Sequence, residues 1–300
     1  MSQRLQVAVH CAIDARNTTG ESPLWSAREA AREAALYWVD IPDGVIHYWQ
    51  PETGERRLWR LPAAVGSIGL RASGGLVVAL RNGFHLFDLQ TEALTLLCHP
   101  EPELPGNRLN DGKVSPEGRF WAGTMDERAD KQPIGSLYRL DADHRCTRMA
   151  GEVKVSNGLA WSPDGRVMYH SDSRSGVIFR HAYDAETGAI GEREIFVQMQ
   201  PEWGRPDGGA TDEEGCYWSC GVGAGRINRF SSDGELIGFV EMPIQHPTMP
   251  CFGGPAGRTM YVTSHRENYS AEDLARTPQA GAVFMLEPGV AGAPAAYYQG

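Results

Sequence analysis

A short motif recurs six times along this chain of 300 residues. Its clearest copy is SNGLAWSPDG at 156–165, in which a polar residue precedes a glycine, an apolar run follows and a turn ends the motif. With Asn157 as the reference position, the equivalent residues lie 42 to 50 positions apart and are Glu21, Gly66, Asn110, Asn157, Asp207 and Met249. Repeats of this period indicate one supersecondary unit used many times, as in solenoids and propellers.

Each repeat has the composition of two β-hairpins. In the clearest copy, Pro163, Asp164 and Gly165 favour a turn, because Pro presets φ, Asp bonds locally and Gly accepts positive φ. A second alternating segment follows in every repeat, for example VIFRHAYDAETGAIGEREIFVQM at 177–199. Four short strands per repeat are typical of a β-propeller blade. The sequence therefore predicts an all-β, six-bladed β-propeller that occupies residues 1–300 as a single domain.

The segment before the first repeat, LQVAVHCAI at 5–13, has the alternation of a strand. We expect it to supply the outer strand of the last blade, which would close the ring and leave no free sheet edges between blades. Residues 27–35 and 270–276 are the only helix-like stretches. Both are interpreted as excursions between strands.

Charge and cysteine usage limit the partners and the compartment. The net charge is −10, and no basic stripe offsets it, which argues against nucleic acid or an anionic membrane as partner. No apolar run approaches the length of a membrane helix, and the N-terminus lacks signal-peptide features. The six cysteines form no CxxC pair and are expected to be reduced thiols. We therefore expect a cytoplasmic protein; its oligomeric state stays open.

The reference residues are also candidates for function. The first strand of a propeller blade lines the central channel, so equivalent residues of successive blades converge near the axis. Two carboxylates and two carboxamides are costly to bury without partners. Such an oxygen-rich cluster suits a hard or borderline divalent cation. The alternative is a water-filled channel with polar walls.

Four motifs in this order resemble the SMP-30/gluconolactonase/regucalcin-like family over nearly the whole chain. They are GESPLW at 20–25, RLNDGKVSPEGRFWAGTM at 108–125, SNGLAWSPDG at 156–165 and RPDGGATDEEG at 205–215. The resemblance implies a propeller that holds one divalent metal ion in its channel and hydrolyses a sugar lactone. The metal stays open among Zn, Ca, Mn, Mg and Fe(II), because carboxylates and carboxamides accept several cations.

The same resemblance implies roles for five residues. The metal ligands would be Glu21, Asn157 and Asp207, and Asp207 would also be the catalytic acid and base. Arg108 and Asn110 would bind the sugar-lactone substrate. Four of these five residues are reference positions of the repeat.

The chain departs from the family's pattern just after the GTM motif, where family members carry an acid that contacts the substrate. Ungapped counting places Arg128 there, directly after Asp126 and Glu127. Whether either acid replaces the missing contact stays open. The departure suggests a different sugar or an anionic substituent.

The sequence thus favours hydrolysis of an aldonolactone to the aldonic acid. Two alternatives remain: a calcium-binding regulatory propeller without catalysis, and a broader lactonase or organophosphate esterase. No GxSxG elbow, HExxH helix or EF-hand loop supports another hydrolytic or calcium-binding motif. His246 and His265 flank the last blade and are expected to have surface or core roles.

Overall fold

The computed structural model describes residues 3–27 and 34–300. Within these ranges, 26 strands form six sheets that follow one another in chain order. The innermost strand of each sheet contacts the innermost strands of the next and the previous sheet, and the last contacts the first. The predicted all-β, six-bladed propeller is therefore confirmed.

Two short strands precede the blades, β1 (Gln3–Arg4) and β2 (His10–Ile13). From the channel outward, blade 1 consists of β3 (Gly20–Ser26), β4 (Ala35–Asp40), β5 (Val45–Trp49) and β6 (Arg56–Arg60). Blade 2 consists of β7 (Val65–Leu70), β8 (Leu76–Leu80), β9 (Gly83–Phe87) and β10 (Leu94–Cys98). Blade 3 consists of β11 (Asn107–Val114), β12 (Phe120–Asp126), β13 (Gly135–Leu140) and β14 (Cys146–Val153). Blade 4 consists of β15 (Ser156–Trp161), β16 (Val167–Asp172) and β17 (Val177–Asp184), with β18 (Ala189–Ile190) and β19 (Glu194–Gln198) both paired to β17. Blade 5 consists of β20 (Arg205–Thr211), β21 (Tyr217–Val222), β22 (Arg226–Phe230) and β23 (Leu236–Glu241). Blade 6 contains β24 (Pro247–Gly253), β25 (Thr259–Ser264) and β26 (Val283–Leu286).

Helical structure is confined to short connections. The helix α1 (Ala271–Arg276) lies in the predicted stretch 270–276, and a capping box between Ser270 and Asp273 fixes its start. Two 3₁₀ turns span Pro201–Trp203 and Pro255–Gly257. The other predicted helical stretch, 27–35, falls mostly on residues 28–33, outside the described residues. In the described part of the chain, no helix has the length and apolar character needed to cross a membrane.

The N-terminus closes the ring as predicted, over a shorter segment. β2 pairs antiparallel with β26 and is the outer strand of blade 6. β1 pairs parallel with β23 and adds a fifth strand to blade 5, which the sequence did not indicate. The second half of the sixth repeat was expected to form a hairpin, and this is wrong. Because β2 already occupies the edge of β26, the chain after β26 leaves the blade.

This C-terminal segment instead joins blades 2 and 3. The backbone N–H of Tyr298 donates to the Leu70 carbonyl at 2.7 Å, and its hydroxyl donates to the Asp141 carbonyl at 2.7 Å. Tyr298 is fully buried and belongs to the apolar cluster between these two blades.

The core lies between neighbouring blades. Every residue of β8, whose sequence is LVVAL, is buried, because its two faces pack against blades on both sides. One cluster joins Val39 and Ile46 of blade 1 to Ile68 and Val78 of blade 2. Burying each such side chain contributes roughly 1.5–3 kcal/mol. Apolar packing thereby fixes the blades around the channel and holds their innermost strands in place.

Candidate active site at one mouth of the channel

A polar cavity of about 170 Å³ lies where the innermost strands begin. The five residues to which the sequence assigned a role all line this cavity: Glu21, Arg108, Asn110, Asn157 and Asp207. Convergence of these residues was expected from the repeat, and the structure brings all five together.

The innermost strand of every blade has a register shift at its reference position. In the described chain, these irregularities lie between the residue pairs 21/24, 65/67, 109/112, 157/160, 206/209 and 247/250. A β-bulge breaks the strict alternation of a strand and re-aims side chains, and bulges are frequent next to active sites. Consecutive residues can therefore both face the channel here.

The other two reference residues do not line the polar cavity. Gly66 packs against Asn110, so closely that a Cβ atom would lie 2.6 Å from the Asn110 carbonyl oxygen. Met249 is buried beside Gly208, and its neighbour Thr248 contributes to the cavity from blade 6. The site is thus built by blades 1, 3, 4, 5 and 6.

Glu21 and Asp207 bring two carboxylates into this cavity. Burial raises the pKa of Glu21 well above its usual range, and the negative charges of Asp207 and Asp111 raise it further. Burial also raises the pKa of Asp207, with a further increase from Asp111, while Arg205 opposes it. Since both groups disfavour ionisation in this environment, a positive partner would stabilise their charged forms.

Asn157 completes an oxygen-bearing set with these carboxylates. Its Oδ1 accepts a hydrogen bond from Asn110 Nδ2 at 3.0 Å, and its Nδ2 donates to Ser173 Oγ at 2.8 Å. These two bonds orient the carboxamide and leave an Oδ1 lone pair available. Among residues 3–27 and 34–300, no three His, Cys, Asp or Glu side chains gather as a metal-binding group. The set of two carboxylates and one carboxamide nevertheless fits a divalent cation in its donor chemistry.

Arg108 is held at the cavity wall by three partners. Its Nη1 donates to Asn110 Oδ1 at 2.6 Å and to the Leu109 carbonyl at 3.0 Å. Its Nε lies 3.2 Å from Glu127 Oε1, and Glu127 also pairs with Arg81. Glu127 therefore orients the guanidinium that the resemblance assigns to substrate binding.

The departure after the GTM motif now has a structural explanation. Arg128 does not line the cavity; it is half exposed and forms an ion pair with the fully buried Asp126 at 2.8 Å. Asp126 also accepts from the backbone N–H of Gln132 at 2.8 Å and so organises the following loop. Of the two adjacent acids, Glu127 acts on the cavity wall through Arg108, whereas Asp126 has a structural role.

We expect Glu127→Gln to raise KM for the substrate more than it lowers kcat. Losing the ionic contact loosens Arg108, at a cost of about 1 kcal/mol for a partly exposed pair. This corresponds to roughly a fivefold rise in KM. Steady-state kinetics would measure the changes in KM and kcat separately. The matched control is Glu194→Gln, which removes the carboxylate of an exposed pair with Arg180 on an outer strand. Equal effects of the two variants would contradict this role for Glu127.

Sequence reasoning missed two buried charged residues of the channel, Asp111 and Lys113. Asp111 Oδ2 accepts from the backbone N–H of Leu159 at 3.0 Å, whereas its Oδ1 is buried without a hydrogen-bond partner in the described structure. Lys113 donates to the Gly209 carbonyl at 2.6 Å, and burial lowers its pKa. The bulge after Leu109 turns Asp111 inward together with Asn110. The glycine of the Asn-Asp-Gly sequence within a strand was the available signal for this bulge.

His246 and His265 were also underestimated. Their rings stack with centroids 4.6 Å apart, and His265 lines the polar cavity. Burial lowers the pKa of His265 to about 4, with further decreases from His246 and Arg205. Both imidazoles are therefore neutral near pH 7 and add no charge to the cavity.

Gly158, directly after Asn157, is required by its surroundings. Its φ is +67°, and a Cβ atom would lie 2.2 Å from Ser171 Oγ and 2.6 Å from the Tyr217 hydroxyl. That hydroxyl donates to the Gly158 carbonyl at 2.8 Å. The close approach fixes the backbone beside a candidate ligand.

Gly158→Ala should destabilise the fold far more than Gly165→Ala. Gly165 has nearly the same φ, +68°, but open space around its Cβ position, so it isolates the backbone strain. We expect the backbone strain alone to lower the free energy of unfolding by about 1–2 kcal/mol in each variant. The clash at Gly158 should lower it by about 1–3 kcal/mol more. Urea unfolding of both variants measures the difference. Equal losses would show that the packing around Gly158 is loose.

A second cavity, of about 180 Å³, lies at the opposite mouth of the channel. Its wall is largely apolar and includes Trp161, Phe252 and the C-terminal residues 293–296. Both channel carboxylates, Glu21 and Asp207, face the first cavity, whereas Lys113 is the one charged residue among the described residues that line the second. The first cavity is therefore the candidate active site.

The fold and the cavity define a six-bladed propeller with an oxygen-rich channel mouth. The chain belongs to the SMP-30/gluconolactonase/LRE-like family, whose model matches residues 19–266. It is 43% identical over 283 residues to 6-deoxy-6-sulfogluconolactonase from Pseudomonas putida, covering 94% of this chain and 95% of the relative. It is 36% identical over 285 residues to regucalcin from Xenopus laevis, covering 93% and 94%.

A solved structure supports the same assignment. The fold superposes with a TM-score of 0.91 on regucalcin from Agrobacterium tumefaciens, described as a calcium-binding protein, at 28% identity. The match covers 100% of this chain and 99% of that one.

Proposed function

We propose that this protein hydrolyses a sugar lactone to the aldonic acid with the help of one divalent metal ion. The observation that carries this proposal is the convergence of Glu21, Asn157 and Asp207 with Arg108 and Asn110 in one cavity. A lactone is a cyclic ester, so its hydrolysis requires an activated carbonyl, a water nucleophile and a route for a proton. The names of the lactonase relatives agree with this chemistry.

Glu21, Asn157 and Asp207 would hold the cation through oxygen atoms. A divalent cation in such an open site supplies Lewis-acid polarisation of a carbonyl oxygen and makes water more acidic. The raised pKa of each carboxyl supports this assignment, because each needs positive charge nearby to stay ionised. Zn, Ca, Mn, Mg and Fe(II) all accept this donor set.

Asp207 would transfer the proton. Its carboxylate accepts a proton from the attacking water as a new carbon–oxygen bond forms at the lactone carbonyl. It then gives this proton to the ring oxygen as the carbon–oxygen bond of the ring breaks, which yields the free acid and a hydroxyl group. In the described residues, no hydrogen-bond partner occupies the Asp207 side chain, so its oxygens are free to act.

Arg108 and Asn110 would orient the substrate. Their mutual hydrogen bond and the Glu127 contact fix both groups before the substrate arrives. A fixed donor directed at oxygen stabilises negative charge that develops during ester hydrolysis.

A panel of aldono-1,4- and 1,5-lactones, assayed by acid release with each candidate metal, tests the proposal. Acid release that depends on an added metal is the expected result. Silence across the panel with every metal would instead favour the alternative of a calcium-binding regulatory propeller; the Agrobacterium structure is described as a calcium-binding protein. Faster hydrolysis of simple lactones or phosphotriesters than of sugar lactones would favour the broader esterase.

A further inference from the structure

The rim of the candidate active site has an uneven distribution of charge. Four cationic side chains line the cavity, and they are Arg108, Lys131, Arg174 and Arg205. Three carboxylates line it, and they are Glu21, Asp207 and Glu267. A positive excess at this one place contrasts with the net charge of −10 on the whole chain.

Most of the charges deeper in the cavity have partners or an assigned role. Arg108 is paired with Glu127. Glu21 and Asp207 are the carboxylates assigned above to the metal ion. Three cations, Lys131, Arg174 and Arg205, and one carboxylate, Glu267, remain at the rim.

These three cations lack direct ion pairs in the described part of the chain, although the carboxylates of Asp126 and Glu127 lie near Lys131 and that of Asp207 lies near Arg205. Within residues 3–27 and 34–300, neither Arg174 nor Arg205 has an ion pair. Lys131 donates to a backbone carbonyl, that of Asp126, at 2.7 Å. Burial lowers the pKa of Lys131, and the positive charges of Arg108 and Arg174 lower it further, so Lys131 lies near these two arginines. Arg205 lines the same cavity.

The cations also occupy one side of the rim. Lys131 lies in the loop between β12 and β13, Arg174 follows β16, and Arg205 begins β20, so they come from the consecutive blades 3, 4 and 5. Glu267 lies on the other side, after β25 of blade 6, and accepts a hydrogen bond from Thr19 of blade 1 at 3.1 Å. Clustered like charges destabilise one another unless an anion is bound between them.

We propose that Lys131, Arg174 and Arg205 form a subsite for an anionic group on the substrate, distant from the lactone carbonyl. This inference rests on the proposed lactone hydrolysis and narrows its substrate class to lactones with a phosphate, sulfonate or carboxylate substituent. Arginine and lysine bind such oxyanions through charge-assisted hydrogen bonds. Glu267 on the opposite side repels an anion, and this sets the orientation of the substrate.

The first test compares glucono-1,5-lactone with lactones that differ only by a phosphate, sulfonate or carboxylate at C6. We expect kcat/KM to be at least about tenfold higher for a charged lactone, since one net hydrogen bond to a charged group has this value. The group with the highest kcat/KM identifies the natural substituent. The advantage should shrink as salt screens the rim charges.

Substitutions at the rim test whether these cations cause the preference for a charged lactone. Lys131→Gln and Arg174→Gln should each lower the charged-to-neutral ratio of kcat/KM by roughly tenfold. Arg166→Gln is the matched control. It removes an exposed arginine of blade 4, the blade of Arg174, from the turn that joins β15 and β16 at their opposite ends. At the spacing of residues along a strand, this turn lies about 20 Å from the rim. The control should keep the wild-type ratio.

Two results would overturn the subsite: a ratio near one in the wild-type protein, or a wild-type ratio in both rim variants. Calorimetric binding of gluconate and of its C6-charged analogues provides a readout that does not need turnover. If no lactone is hydrolysed, lactone hydrolysis is refuted, while tighter binding of a C6-charged analogue than of gluconate still supports the subsite. Equal binding of gluconate and its C6-charged analogues refutes the subsite by itself.

Discussion

Replacing Asp207 by asparagine should nearly abolish lactone hydrolysis while the propeller stays folded. Asparagine keeps the size of the side chain and one oxygen, but it cannot accept the proton of the attacking water. Proton transfer by a positioned group contributes roughly 100- to 10,000-fold to a rate. We therefore expect kcat/KM to fall by at least about 100-fold, measured by acid release at saturating metal concentration.

The matched control is Asp233→Asn, in an exposed turn of the same blade between β22 and β23. It removes the same charge from blade 5 and should leave kcat/KM unchanged. Thermal unfolding of both variants separates lost chemistry from lost structure. Asp207 has no catalytic role if Asp207→Asn retains wild-type activity with its usual metal dependence.

Removing the metal ion should abolish activity and lower the thermal midpoint of unfolding. Without a cation, burial and mutual repulsion disfavour the charged forms of Glu21 and Asp207. A cation that binds only the native state stabilises it by about 2.7 kcal/mol at 100 times its dissociation constant. For a chain of 300 residues, this corresponds to a midpoint shift of roughly 4 °C.

Calorimetry and acid release with and without EDTA would measure both effects. Adding back Zn, Ca, Mn, Mg or Fe(II) one at a time would identify the metal that restores them. Glu21→Gln provides the control, because its midpoint should respond much less to EDTA. Full activity and an unchanged midpoint after thorough metal removal would rule out the proposed metal site.

The ring of blades could be predicted from the sequence because every blade needs the same local chemistry. The first turns of blades 3, 4 and 5 repeat a glycine after an acidic residue, and the turn at 162–165 forms as expected. The closing strand β2 was also predictable, because the alternating segment at 5–13 precedes the first repeat and can pair with the last blade to close the ring. The C-terminal segment was not, since its path depends on Tyr298 finding a buried position between blades 2 and 3.

Four of the five predicted site residues lie together because equivalent positions of different blades meet near the axis, and Arg108 joins them through its hydrogen bond to Asn110. Asp111 escaped prediction because strand alternation would turn it away from the channel, and only the bulge after Leu109 brings it in. The role of Glu127 was equally hidden, because ungapped counting points to Arg128. Local conformation decided both cases.

The sequence by itself determined the number of blades, their order and the residues that approach the channel. The reason is that, in a closed ring of blades, the position of a residue along the chain sets its position around the central axis. Only the tertiary structure placed Lys131, Arg174 and Arg205 at the rim of one cavity. These residues belong to three blades and to loops of different length, so no repeat relates them. Their charges produce a combined positive electrostatic potential only when the blades are assembled, because electrostatic interaction depends on distance in space.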